Sequence, residues 1–359
     1  MRGRGSRTIL LALATSLLLE GSRSLQVASV LHSPRSHRAI GRSQPALIRA
    51  VVEAPGEALS SKSSKSSKTD ATPCGEWELD FYSRPVQGAD GKKLWELLVT
   101  DTSGSFYHAE AVPSNCVNSR ELRKRVQRLI TEAEVPPTQI RFFRVQMKNM
   151  ITIALRDLNG IRCTPSRVTY RLYDWIGRRN RDVYPTLPGY KAPRPEAPAV
   201  KLPVKLPDQL RGEQYAFVTL PYAEFLQGGA ISEENIGFGS LCPVPDAAEA
   251  PAVDAMVSGL AIFSKRSGAI AAWLSGTDLC FVKAVIESRE LMLEVGLDTQ
   301  YLLARIRNAD QQLESKLFEE GKARSAGLHF LSVQSGPDAD EPDGFWLLRD
   351  FEAASGGKK

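Results

Sequence analysis

The sequence predicts an α+β fold built as two mixed α/β domains, and three observations predict it. Strand-like and helix-like patterns between residues 76 and 190 follow one another as β-β-β-α-β-α. Seven prolines between 185 and 207 mark a stiff connection to a second set of elements. The chain has 359 residues, 42% of them hydrophobic and 24% charged. Such a composition supports one large or two ordinary domains and excludes full disorder, collagen-like repeats and coiled coils.

The first 75 residues read as an address rather than a domain. Arg2, Arg4 and Arg7 precede the mostly apolar run Ile9–Leu19, and small residues follow at Gly21–Ser24. That pattern predicts a signal peptide over 1–24, because about 20 apolar residues are needed to span a bilayer. Leu25–Val52 has no acidic residue but repeats Arg among Ser and Ala, like a plastid or mitochondrial transit peptide. Ser60–Lys68 is a polar, low-complexity linker, so residues 25–75 are assigned to transit peptide and Ser/Lys linker. No other run is long enough for a membrane helix.

In the body, Trp77–Phe81 and Leu94–Val99 read as strands joined through the hairpin signal Asp90-Gly91, and Ser105–Ala111 as a third strand. Asn118 with Glu121 forms a capping pattern, and Leu122, Val126, Leu129 and Ile130 recur at helical spacing. Arg120, Lys124 and Arg128 fall on the opposite face. Ile140–Phe143 is a short strand, and Met147 to Leu158 a second helix stopped at Asn159-Gly160. A strand near Val168–Tyr173 and a short helix carrying Trp175 and Ile176 complete a basic domain over 76–190. After a Pro-rich linker at 191–210, an acidic domain over 211–353 opens with a strand at Tyr215–Leu220. Gly229–Asp254 reads as a long loop. Gly259–Ser264, Ala269–Leu274, Leu279–Ala284 and Leu291–Val295 read as strands, and Thr299–Lys322 as helix-compatible. Gly327–Gln334 and Gly344–Phe351 are the last two strands.

Charge is divided unevenly along the chain. Residues 120–205 carry 19 Lys/Arg against 7 Asp/Glu, whereas residues 206–359 carry 13 against 23. The basic stretch interleaves cations with rings, in Arg141, Phe142, Phe143, Arg144 and Lys148 and again in Tyr173, Trp175, Arg178 and Arg179. Single-stranded RNA is held by cations on phosphate and by planar side chains on bases, and this mixture suits that task. The acidic half repels a polyanion and suits protein contacts better.

Other chemistries find little support. The five cysteines are odd in number, widely spaced and without a C-x-x-C, which predicts reduced thiols rather than a disulfide framework or zinc site. Asp80, Glu96 and Asp101 lie on or near adjacent strands, which raises a metal-dependent nuclease as an alternative. The element order is ribonuclease-H-like, but the strand at Ile140–Val145 lacks the acid such a centre needs, so a scaffold without the catalytic set is expected. Asp338 to Gly344 departs from a Ca²⁺ loop at Pro342 and Arg349, and Gly237-Phe-Gly239 lacks the third glycine of a dinucleotide turn. No catalytic residue, metal or cofactor is expected.

Several blocks then resemble a known family. Trp77-Glu-Leu-Asp-Phe-Tyr-Ser-Arg-Pro85, Gly91-Lys-Lys-Leu-Trp-Glu-Leu97, Ile140-Arg-Phe-Phe-Arg144, Ala271-Ala-Trp273, Gly327-Leu-His-Phe-Leu331 and Gly344-Phe-Trp-Leu-Leu348 are similar to the Tab-two/Atab-two family of plastid RNA-binding translation factors. The signature positions are Trp77, Asp80, Arg84, Trp346, Leu347 and Leu348. The resemblance implies a non-enzyme in the chloroplast stroma. It implies binding to the 5′ leader of a photosystem I reaction-centre messenger and promotion of translation initiation, with initiation or assembly proteins as partners. A scaffold for photosystem assembly acting through the acidic domain is the other alternative. On this reading Arg141, Arg144, Lys148, Arg178 and Arg179 contact phosphates, and Phe142, Tyr173 and Trp175 stack on bases.

Overall fold

The computed structural model describes residues 67–68, 71–192, 203–245 and 250–351, so most of the leader assigned to 1–75 and half of the Pro-rich linker assigned to 191–210 lie outside the described residues. Ser67–Lys68, expected to be linker, forms a two-residue edge strand β1. It is followed by β2 (Glu76–Gln87), β3 (Lys93–Asp101), β4 (Phe106–Val112), helix α1 (Ser119–Glu132), β5 (Gln139–Phe142), α2 (Lys148–Leu155), β6 (Arg162–Pro165) and α3 (Tyr170–Arg178). These strands make one sheet in the order β1-β4-β3-β2-β5-β6. β2, β3 and β4 form an antiparallel meander, and β5 and β6 add in parallel to β2.

Period-two alternation in β2 separates two kinds of core. Trp77, Leu79 and Phe81 point one way, under α1 and α2, with Leu97 and Val99 of β3 beside them. Burying each of these large side chains contributes about 1.5–3 kcal/mol. The alternate residues Glu78 and Asp80 point the other way and are also fully buried, beneath α3. Gly91 takes φ +73° in the β2–β3 turn, the left-handed geometry that favours glycine there. The Asn118 side chain caps α1, accepting from the Glu121 N–H at 3.0 Å.

The second half contains β7 (Val204–Lys205), β8 (Gln214–Pro221), β9 (Phe238–Leu241), β10 (Met256–Phe263), α4 (Ser267–Ser275), β11 (Leu279–Val285), β12 (Glu290–Val295), β13 (Thr299–Arg305), α5 (Ala309–Arg324), β14 (Leu328–Gln334) and β15 (Gly344–Arg349). A five-stranded sheet runs β8-β10-β14-β15-β9 and a four-stranded sheet runs β11-β12-β13-β7. β15 is covered on both faces: Trp346 and Leu348 pack into one core and Phe345 and Leu347 into the other. The chain is therefore α+β, with mixed sheets in both halves.

Three expectations are corrected. Ala269–Leu274 lies in helix α4, because a short apolar run rich in alanine fits either element. Thr299–Arg305 is strand β13, paired along its length with β12, and only the part from Ala309 is helical. The strand after α2 is Arg162–Pro165, and Tyr170–Tyr173 already belongs to α3.

The halves share a seam. The Tyr170 ring lies in the C-terminal core with Val218, Leu220 and Leu347. Arg349 Nη1 donates to Asp174 at 2.8 Å, Arg167 pairs with Glu294, Arg141 Nε approaches Asp278 at 3.5 Å and Lys148 Nζ approaches Asp298 at 3.2 Å. In all but one of these pairs the N-terminal half supplies the cation and the acidic half the carboxylate.

Candidate nucleic-acid interface

The side chains predicted to meet RNA do not form one surface: Arg144 and Arg179 belong to an internal network, Tyr173 to a partly exposed row of rings, and the rest to neither. The network starts on the polar face of β2. Asp80 is completely buried and is bound by Arg84 Nη1 at 2.9 Å and by Arg144 at 3.0 and 3.2 Å. Burial raises the pKa of this carboxyl, but the two guanidinium charges and their hydrogen bonds outweigh it and hold Asp80 below the usual carboxylate range. Glu96 accepts from Arg84 Nε at 3.1 Å, Arg179 at 2.6 Å and the Tyr184 hydroxyl at 2.6 Å. Glu78 accepts from the Leu172 N–H at 2.6 Å in the first turn of α3, and burial pushes its carboxyl up to about 8.

These contacts bear on the carboxylates named for the nuclease alternative. Asp80 and Glu96 are occupied by guanidinium groups, and Asp101 accepts from Ser103, Ser105 and the Cys74 N–H to tie down its turn. Each of these three carboxylates thus already accepts from cations, hydroxyls or backbone donors. Among the described residues no group of three or more His, Cys, Asp and Glu side chains is placed to hold a metal ion.

They also limit which predicted phosphate contacts are free. Arg141 is 13% exposed and lies between Glu76, at 2.5 Å, and Asp278. Arg144 and Arg179 hold the buried Asp80 and Glu96. Lys148 forms only an exposed pair with Asp298, the kind worth little and readily exchanged. Arg178 lies over the Tyr107 ring at 5.8 Å. Phe142 is 1% exposed in the core under α1, so a base cannot stack on it. Its neighbour Phe143 takes the other face of the strand and is half-buried. Trp175 meets Tyr107 edge-on at 5.1 Å with Arg179 5.7 Å from its ring.

The row of rings crosses the seam. The Arg144 guanidinium lies 4.3 Å from the Tyr82 ring and 4.6 Å from Phe143. Phe143 tilts against Tyr173 at 5.5 Å, and Tyr173 stacks on Phe351 at 4.3 Å with 20° between planes. Arg349 lies 4.7 Å from Phe351. Tyr173 is 40% exposed, and Val145 beside Arg144 is 54% exposed, so one edge of the row faces solvent. The sequence reading places Phe143 in the basic, aromatic stretch but not among the base-stacking rings, and gives Tyr82 and Phe351 no binding role. Strand alternation from Ile140 would have selected Phe143 over Phe142, but nothing in the sequence places Phe351 against Tyr173.

The signature residues are structural. Trp77, Asp80, Arg84, Trp346, Leu347 and Leu348 are each 3% exposed or less, so no partner docks on Trp346-Leu347-Leu348 directly. A second buried network occupies the C-terminal half. Lys322 Nζ donates to Asp350 at 2.9 Å and to the Val282 carbonyl at 2.8 Å, and His329 Nε2 accepts from the Val282 N–H at 2.9 Å. His329 is thus a core histidine, held neutral by burial with its pKa lowered to about 3.

Residues 76–179 match the N-terminal family model of RNA-binding protein Tab2/Atab2, and residues 194–349 match the C-terminal domain model. The chain is 35% identical over 290 residues to "Protein TAB2 homolog, chloroplastic" of Arabidopsis thaliana, covering 79% of this chain and 77% of that protein. It is 35% identical over 280 residues to the protein of the same name from Zea mays, covering 77% of this chain and 72% of that one. With both halves matched, the chain belongs to the Tab2/Atab2 family of RNA-binding proteins.

Proposed function

We propose that this protein binds single-stranded RNA in a plastid along the row Tyr82–Arg144–Phe143–Tyr173–Phe351. We propose further that it thereby promotes translation initiation on a photosystem I reaction-centre messenger. The observation that carries the surface is the partly exposed Tyr173–Phe351 stack flanked by Arg144 and Arg349. Rings take bases without regard to sequence; Arg144, held by Asp80, and Arg349, buried against Asp174, add positive charge behind the rings rather than free phosphate contacts. The relatives titled chloroplastic and the two-part leader pattern support the compartment. The carboxylates of the network all hold cations or backbone donors, which supports a binding rather than catalytic role. Initiation or assembly proteins are the partners this reading implies, and the acidic half is the surface we assign to them.

A filter-binding titration of the full-length chain tests the reading. The target is labelled photosystem I leader RNA, the competitor an unrelated RNA, and salt is varied. The expected result is preference for the leader, affinity that falls as salt rises, and a loss of about tenfold in Tyr173→Ala, from the ~1–3 kcal/mol a stacked base contributes. Equal affinity for both RNAs would remove the leader specificity. Affinity unchanged in Tyr173→Ala would remove the surface.

A further inference from the structure

The C-terminal half contains a cleft of about 970 Å³ between β8 and β10 of the five-stranded sheet and β12 and β13 of the four-stranded one, with α4 at its end. Its floor is closed by Leu260, Leu291 and Leu293, none of which is exposed. Its walls include half-exposed apolar side chains, among them Trp273, Leu303 and the ring of Tyr215. β13 is responsible for the opening: although it reads Tyr-Leu-Leu-Ala at its centre, those four residues are only partly covered. The size falls within the range of about 300–1,000 Å³ typical of small-molecule sites, and an apolar body with few polar groups is their usual chemistry.

Two polar features choose the ligand. The Tyr215 hydroxyl oxygen is buried and has no hydrogen-bond partner, which natural interiors rarely leave so. Arg307 lines the same cleft and has no carboxylate partner among the described residues; its charge favours an ionised Tyr215 hydroxyl, while that of Glu314 opposes it. Most other charges at the rim are satisfied: Glu290 is paired with Arg305 at 3.3 Å, Arg211 with Asp208 at 3.0 Å, and Glu213 accepts from the Lys265 N–H at 2.8 Å; Lys205 adds a further cation to the lining. Four basic side chains line the cleft against two acidic ones, in a half that is otherwise acidic.

We propose that this cleft binds one anionic amphiphile, a molecule with an apolar body and a single carboxylate, sulfonate or phosphate head. The body lies against Trp273 and Leu303, and the head accepts from the Tyr215 hydroxyl and pairs with Arg307. The site is separate from the row of rings and stands whether or not that row binds RNA.

The test titrates the full-length chain with 1-anilinonaphthalene-8-sulfonate and then with palmitate, with dodecylammonium as a control of opposite charge. The expected result is saturable binding of one sulfonate per chain, displaced by palmitate and not by dodecylammonium. Arg307→Gln should weaken it at least about tenfold, and Tyr215→Phe several-fold, as loss of a charge-assisted and of a neutral hydrogen bond predicts. Both substitutions alter groups that support no other contact, and circular dichroism checks that each variant is folded. No saturable binding, equal displacement by the cationic amphiphile, or affinity unchanged in Tyr215→Phe would each overturn the proposal.

Discussion

Replacing Glu78 with Gln should leave stability at acid pH nearly unchanged and raise it above neutrality. Glu78 is buried without an ion pair of its own, and its strongest contact is the Leu172 N–H at 2.6 Å. A glutamine oxygen accepts that bond equally well, so the substitution removes the titration and little else. The folded pKa is raised from 4.5 to about 8. Below pH 4.5 both folded and unfolded states carry the proton, and the stability is fully present. As pH rises toward about 8 the unfolded carboxyl ionises first, so stability is lost across that interval. At ~1.4 kcal/mol per pH unit the full difference is about 5 kcal/mol, which relaxation of the buried site would reduce. Urea melts of the parent and Glu78→Gln at pH 5, 6.5 and 8 measure it. The difference between the two proteins should widen with pH, because the titration of every other group cancels in it. A constant difference would mean that Glu78 is already ionised in the fold and is held by the positive charges of Arg141 and Arg171.

Other perturbations follow from the same packing. Arg144→Ala should cost about 3 kcal/mol in urea melts, because it leaves buried Asp80 with Arg84 as its one remaining cation; a cost under about 0.5 kcal/mol would show that Asp80 does not need it. His329, held neutral in the fold, contributes stability that is present above pH 6.5 and lost as pH falls toward about 3; His329→Gln should flatten that acid limb, and an unchanged limb would assign it to other groups. Gly259→Ala should prevent stable folding, since its Cβ would lie 2.2 Å from the Phe330 ring; a soluble variant with a parental melting temperature would show that β10 and β14 have room to separate.

Much of the N-terminal sheet is legible because each local signal there agrees with the packing. Asp90-Gly91 makes the turn, Asn118 caps α1, and the spacing of Leu122 and Val126 chooses its buried face. The errors fall where local sequence allows two answers. Ala269–Leu274 fits strand or helix, and tertiary context makes it α4. Tyr301 to Ala304 sits beside a charged helix, yet pairing with β12 makes it a strand. The site was harder still. Cations clustered in sequence suggested a free phosphate-binding surface, but several of their carboxylate partners come from positions remote in the chain, such as Asp278 for Arg141 and Glu96 for Arg179. Charge counting cannot reveal such pairing, which is why the basic stretch is less available to RNA than its composition suggests.

The most direct test of the RNA surface is photo-cross-linking of the full-length chain to leader RNA containing 4-thiouridine, followed by peptide mapping. Cross-links at Tyr173, Phe143 or Phe351 are predicted, with loss of the signal when unlabelled leader is added. Cross-links confined to the outer stripe of α1, Arg120, Lys124 and Arg128, or to the acidic half away from Phe351, would contradict the assignment and move the interface elsewhere.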